Sequence, residues 1–178
     1  MNVFEKTDQH KSFSWEDTGN IAEGRVNLGE DMPVIVYRLF QYTMRDILIG
    51  MLGKDGMVEA FRRAGEIAGR EFALHQLDLS LEWDALVAQL QSVLRQLKIG
   101  VLRMEEFDRT TGHAVLTISE DLDCSGLPVS GEAVCHYDEG LLAGILSTYS
   151  GHAYMVREVD CWATGDRVCR FDAQLIAE

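Results

Sequence analysis

The sequence predicts an α+β domain, with N-terminal helices packed on a mainly antiparallel four-stranded sheet and one helix inserted before a C-terminal hairpin. Three observations predict it. Apolar residues recur at intervals of three and four from about Pro33 to Leu97. The period then drops to two, and two turn-centred pairs of alternating segments flank one further helical stretch.

Residues 1–23 show no clear period and read as a loose lead-in, leaving residues 24–178 as a single domain. The first helix carries Val36, Leu39, Phe40, Thr43, Ile47 and Met51 on one stripe. Gly53 and Gly56 punctuate it. A second helix then presents Val58, Phe61, Ala64, Ala68 and Phe72, with Gly65 and Gly69 four apart so that another element can approach its backbone closely. Ser80 is the expected N-cap of a third helix, with Glu82 and Asp84 near its positive end and Trp83, Leu86, Leu90, Val93 and Leu97 as its stripe. KIGVLRMEEF and GHAVLTISED, joined through DRTTG, read as a β-hairpin. The stretch Tyr137 to Tyr149 reads as the inserted helix, with Asp138 and Glu139 in its first turn and Gly140 and Gly144 on a small-residue face. HAYMVREVDC and CRFDAQL close the chain around a turn centred on Gly165.

The 178 residues suit one domain with a real core, and 47% hydrophobic against 25% charged residues is a soluble globular profile. No apolar run reaches the length of about 18 residues that spans a membrane. The N-terminal MNVFEKTDQHKSFSW lacks the apolar stretch of a signal peptide, so the expected location is cytoplasmic. A formal charge of −13, from 16 basic and 29 acidic residues, argues against direct binding to nucleic acid. There is no Gly-rich nucleotide loop and no G-x-S-x-G elbow, so enzymatic activity is not expected.

The chemistry concentrates in four cysteines, Cys124, Cys135, Cys161 and Cys169, all in the last third. In a reducing compartment such a cluster favours metal or redox chemistry over disulfides. In a hairpin centred on Gly165, Cys161 and Cys169 would face one another across the strands, and Cys135 stands just before the expected helix, where the dipole favours its thiolate. Zinc in a structural site takes four ligands. Spacing alone leaves the fourth open among Cys124, Glu158, His136 and His152. Glu158 is awkward on parity, since three residues along a strand place it on the face opposite Cys161 unless a bulge intervenes.

The segments GEAVCHYDEGLLAGIL and VREVDCWATGDRVCRF resemble the 4-vinyl reductase domain family, related to the sensor domains of phenol- and aromatic-responsive transcriptional activators. The resemblance is clearest from Leu97 to Phe171. It implies a zinc ion held in the order C-x22-E-x2-C-x7-C, which falls here on Cys135, Glu158, Cys161 and Cys169. It also implies a homodimer joined through helices, a small apolar cavity between helices and sheet, and a binding role. The expected ligand is a small apolar or aromatic molecule, and the expected output passes to a separate protein partner. Arg157, Arg167 and Arg170 flank the implied ligands. Cys124 is left as a buried or idle thiol or as a candidate additional metal or redox residue, which with the other three would make a four-thiol set for zinc or an iron–sulfur cluster. The alternatives are an enzyme, a reductase-associated protein or a haem or tetrapyrrole carrier, suggested by the family name, and an iron–sulfur or thiol redox sensor. Candidate cavity residues are Phe40, Met44, Phe61, Phe72, Trp83, Leu90, Met104 and Tyr154.

Overall fold

The computed structural model describes residues 11–176. The described residues divide into two units, 11–30 and 31–176. The first ten residues of the expected lead-in lie outside the described part. In the first unit a 3-10 turn, Trp15–Thr18, precedes a single helical turn, α1, Ile21–Gly24. Side-chain caps hold both: the Asp17 carboxylate accepts the Ser14 N–H at 2.9 Å, and Asn20 Oδ1 accepts the Glu23 N–H at 3.1 Å.

The second unit begins with α2, Val34–Gln76, followed by α3, Trp83–Gln96. β1, Val101–Phe107, and β2, Ala114–Ser119, form the first hairpin. α4, His136–Ser150, is the inserted helix; β3, Tyr154–Asp160, and β4, Cys169–Leu175, form the second hairpin. All pairings are antiparallel, in the order β1-β2-β4-β3. The predicted α+β architecture is therefore the observed one. Among the described residues no helix is long and apolar enough to cross a membrane.

Gly53 breaks α2 into two arms, residues 34–52 and 54–76, by adopting φ 75° and ψ 174°, a conformation closed to a residue with a Cβ. The second arm packs along α4 through the two glycine faces. A methyl group on Gly65 would overlap the carbonyl oxygen of Tyr137, and one on Gly140 would overlap that of Arg62. Gly69 and Gly144 meet the partner helix in the same way. The expected close approach is thus reciprocal, and it rotates the buried face of this arm to Met57, Gly65, Gly69, Phe72 and Ala73.

The core lies between α3, α4 and one face of the sheet. Phe171, Leu116, Ile118 and Val156 from the strands meet Leu86 and Leu94 from α3 and Leu142 and Ile145 from α4, all essentially inaccessible. Each such side chain contributes roughly 1.5–3 kcal/mol, against about 0–1 kcal/mol for an exposed ion pair such as Lys54–Glu132, so this core sets the stability. Trp83 stacks on Phe107 with centroids 3.9 Å apart.

Two local expectations are corrected. α3 starts at Trp83 with Glu82, not Ser80, in the cap position. The Ser80 hydroxyl donates instead to Asp78 Oδ1 at 2.6 Å, closing the turn that precedes the helix. The buried stripe of α3 is Trp83, Leu86, Leu90 and Leu94, while Leu97 caps the helix end and is exposed. A larger difference concerns the first arm of α2. Its apolar stripe, Val36, Leu39, Phe40, Ile47 and Met51, lies exposed on the surface of this single chain.

Candidate metal centre and adjoining pocket

Four separate pieces of backbone bring the cysteines together. Cys124 sits in the loop after β2, where Asp121 Oδ1 accepts the N–H groups of Asp123 at 2.8 Å and Cys124 at 3.1 Å. Cys135 is the N-cap of α4, so its sulfur lies at the positive end of that helix. Cys161 follows β3 and caps the 3-10 turn Trp162–Thr164, which Gly165 ends in the left-handed region at φ 109°. Cys169 opens β4 opposite Ile118. The loop is fastened to the turn: Trp162 Nε1–H donates to the Leu127 carbonyl at 3.0 Å, and the Ser130 N–H donates to the Ala163 carbonyl at 2.8 Å.

All four thiols are buried and free, and their sulfurs lie within 4.8 Å of one another. Cys124 is 3.1 Å from Cys169, and Cys135 is 3.7 Å from Cys169 and 3.9 Å from Cys161. Four sulfurs about 2.3 Å from one zinc ion are separated by about 3.8 Å, so the set has the dimensions of a tetrahedral site. Mutual crowding works against full ionisation. The neighbouring thiols Cys124, Cys161 and Cys169 push Cys135 far up, while hydrogen bonds from Cys124, Cys135 and Cys169 hold Cys161 down as the thiolate. A divalent cation at the centre reverses that opposition.

Glu158 lies beside the cluster. The parity objection is removed by a register irregularity between Glu158 and Asp160, which turns the carboxylate toward the thiols. Glu158 Oε2 accepts the Cys135 N–H at 3.0 Å, and Oε1 is buried without a partner. Burial and then the Cys161 charge push this carboxyl up to about 8. The two histidines near the site go elsewhere. His136 Nδ1 lies 3.3 Å from Glu139 Oε2, and His152 is exposed beyond the end of α4. Of the flanking arginines, Arg170 pairs with Asp160 at 2.8 Å, and Arg157 and Arg167 are exposed.

Further buried carboxyls crowd the same place, and sequence reasoning passed over their part in it. Asp121, Asp123 and Asp138 are each 4% exposed or less, and each has an Oδ2 atom buried without a partner. Burial raises all three; it pushes Asp123 up to about 7 with help from the Asp121 charge, and Asp138 well up with help from Asp123 and Asp121. The pattern D-x-D-C at residues 121–124 was the available signal.

The first arm of α2 is fastened to this acidic loop. Tyr37 Oη donates to Asp123 Oδ1 at 2.7 Å and Tyr42 Oη to the Asp123 carbonyl at 3.0 Å. Arg38 donates to the carbonyls of Leu122 and Ser125 at 2.9 and 2.8 Å. Beside these contacts a cavity of about 320 Å³ lies between the two arms of α2 and Tyr137 of α4. Phe40, Met44, Leu48 and Phe61 supply its apolar walls, and Tyr37 and Gln41 its polar end. Gln41 is 6% exposed, and its Oε1 has no partner. Phe40, Met44 and Phe61, named from the sequence, therefore meet at one cavity. Phe72, Trp83 and Leu90 are in the core, Met104 packs against the core, and Tyr154 lines a separate groove. The cavity is walled by helices, and no sheet residue lines it. A polar Gln41 inside an apolar helical stripe was the signal for its polar end.

Comparison with known proteins agrees with this architecture. The 4-vinyl reductase domain family matches residues 114–175. An uncharacterized protein of Methanocaldococcus jannaschii is 26% identical over 157 residues, spanning 88% of this chain and 83% of that protein. The phenol-responsive sensory domain of the transcription activator PoxR, solved with phenol, superposes with a TM-score of 0.63 at 17% identity, over 81% of this chain and 75% of that one. A vinyl-4-reductase family protein from M. jannaschii superposes with a TM-score of 0.62 at 17% identity, over 94% and 99% of the two chains. The segment that the family model matches runs from β2 to β4 and contains all four cysteines.

Proposed function

We propose that this chain is a small-molecule-sensing domain whose ligand enters the cavity between the two arms of α2. The observation that carries the reading is the cavity's composition: apolar walls from Phe40, Met44, Leu48 and Phe61, and a single polar end where Gln41 Oε1 is buried without a partner. Such a site suits a compact apolar or aromatic molecule with no more than one polar group. The phenol held by the structurally similar PoxR domain is a molecule of that kind. Occupancy has a direct route to the rest of the domain, because the same arm is hydrogen-bonded to the loop bearing Cys124.

In this reading a zinc ion is the clamp that fixes that loop, α4 and the last hairpin to one another. Cys135, Cys161 and Cys169 supply three ligands. Cys124 supplies the fourth, since its sulfur already lies in the cluster, and Glu158 supports the site through the Cys135 N–H. The spacing favours a single ion: an iron–sulfur cluster places metal and sulfide atoms between its thiolates and needs them farther apart. With four protein ligands the ion is structural. The exposed apolar stripe of α2 is covered by a second copy of the chain, which also walls the cavity on the Phe40 side.

The test is a calorimetric titration with phenol and with toluene, on the wild type and on Ala64→Trp. Ala64 lines the cavity and is exposed, so the indole fills the site without disturbing the core. Binding to the wild type that Ala64→Trp abolishes supports the proposal. No binding of either probe, or equal binding to both proteins, contradicts it.

A further inference from the structure

A second group of possible metal ligands adjoins the thiol cluster. Asp121, Asp138 and Cys135 point their ligand atoms to one place, all within 4.8 Å of one another, with Asp121 Oδ1 3.8 Å from the Cys135 sulfur. Sulfur at about 2.3 Å and oxygen at about 2.0–2.2 Å from one ion in a tetrahedral arrangement are separated by about 3.5 Å, so the set has room for a cation of zinc's size. Two observations beyond the clustering point to a ligand. The Oδ2 atoms of Asp121 and Asp138 are buried without any partner, in side chains that are 2% and 4% exposed. The guanidiniums on this side of α2 are engaged elsewhere: Arg38 donates to the Leu122 and Ser125 carbonyls and Arg45 to that of Val134, and among the described residues no Lys, Arg or His forms an ion pair with either aspartate. Buried carboxylates are stable when paired or when they coordinate a metal.

Charge supports the same conclusion. One divalent ion on four thiolates leaves about −2 on the site before any carboxylate is counted. Ionised Asp121 and Asp138 carboxylates, in a region closed to water, are stable there only beside a second cation.

We infer that Asp121 and Asp138 hold a second divalent transition-metal ion, bridged through the Cys135 thiolate to the ion of the four-cysteine site. The mixed sulfur and oxygen set selects a borderline cation such as Zn²⁺ over Ca²⁺ or Mg²⁺, which take oxygen ligands throughout. Asp123, whose Oδ2 is likewise unpartnered and whose Oδ1 accepts from Tyr37, links this position to the polar end of the cavity. The inference rests on reading the thiol cluster as a metal site, and the experiment separates the two.

The full chain is stripped with chelator, reloaded with ¹¹³Cd²⁺ or Zn²⁺, passed through gel filtration and assayed for metal per chain, with ¹¹³Cd NMR on the cadmium form. The expected result is two equivalents and two resonances, one in the all-sulfur region and one shifted toward mixed sulfur–oxygen coordination. Asp138→Asn is expected to lose one equivalent and the mixed resonance while keeping the all-sulfur signal. If that variant does not fold, Asp121→Asn carries the same expectation, and the wild-type spectrum decides by itself. One equivalent with the all-sulfur resonance alone overturns the second site and leaves the thiol site standing. Two equivalents unchanged in Asp138→Asn overturn it too, placing the second ion elsewhere. No bound metal overturns both readings.

Discussion

The two arms of α2 share one helix and one kind of amphipathic pattern, yet they are used in opposite ways. The second arm lies against α4 so closely that its glycines touch the partner backbone. The first arm leaves Leu39, Ile47 and Met51 in the open and holds to the rest of the unit through polar contacts from Tyr37, Arg38 and Tyr42 to the loop at residues 122–125. Periodicity reports that a helix has an apolar face. What covers that face is decided by shape, here by whether small residues admit a neighbouring backbone. The clasped arm belongs to the core, and the open arm borders the cavity and leaves its apolar stripe exposed.

The sharpest way to break this contrast is to place the same substitution in each arm. Gly65→Ala drives a methyl into the Tyr137 carbonyl, so the helices must separate. We expect a loss at or above the upper end of the about 1–3 kcal/mol typical of overpacking, read from urea denaturation. Gly50→Ala, in the open arm, meets nothing within 4 Å. Its expected effect is the smallest and opposite in sign, a gain of about 0.5–1 kcal/mol from helix propensity. Equal effects in the two arms would remove the distinction.

Between these extremes lie three further tests. Cys161→Ser is expected to release bound metal and lower the melting temperature, and Glu158→Gln to weaken metal retention less, because it removes a support and not a thiolate. Full metal and stability in Cys161→Ser would end the clamp reading. Leu39→Glu should convert a dimer to a monomer in analytical ultracentrifugation with little change in helix content. An unchanged mass in solution would mean that this stripe is not the dimer face.

The third concerns pH in the chelator-treated protein. Glu158 is raised above its ordinary range to about 8, so the folded state prefers the protonated carboxyl. Its contribution is fully present below about pH 4, the ordinary carboxylate value, and is lost as pH rises through about 8. The urea midpoint should therefore fall between about pH 5 and about pH 9, and fall less in Glu158→Gln. A midpoint that rises over this range would contradict the assignment.

Much of this was legible in the sequence, and the gaps have physical reasons. Gly65, Gly69, Gly140 and Gly144 announced close helix contact by composition alone, and Cys161 and Cys169 announced a site by their spacing around Gly165. Cys124 was one of four candidates for the fourth place, and spacing could not choose it because a loop eleven residues before Cys135 carries no directional information; its place depends on Asp121 accepting two backbone N–H groups. Glu158 looked misplaced because a strict period of two takes no account of the irregularity beside Asp160. Ser80 was a sound cap candidate that found a nearer partner in Asp78. The stripe of the first arm marks an apolar face, and amphipathicity alone does not say what, if anything, covers it.

The most direct test of the proposed function is hydrogen–deuterium exchange of the full chain with and without saturating phenol or toluene. The account predicts that protection rises together in two separate segments, the first arm of α2 around residues 37–48 and the loop at residues 121–125, which hydrogen bonds tie to it. Protection confined to the core between α3, α4 and the sheet, or absent from both segments, would contradict it.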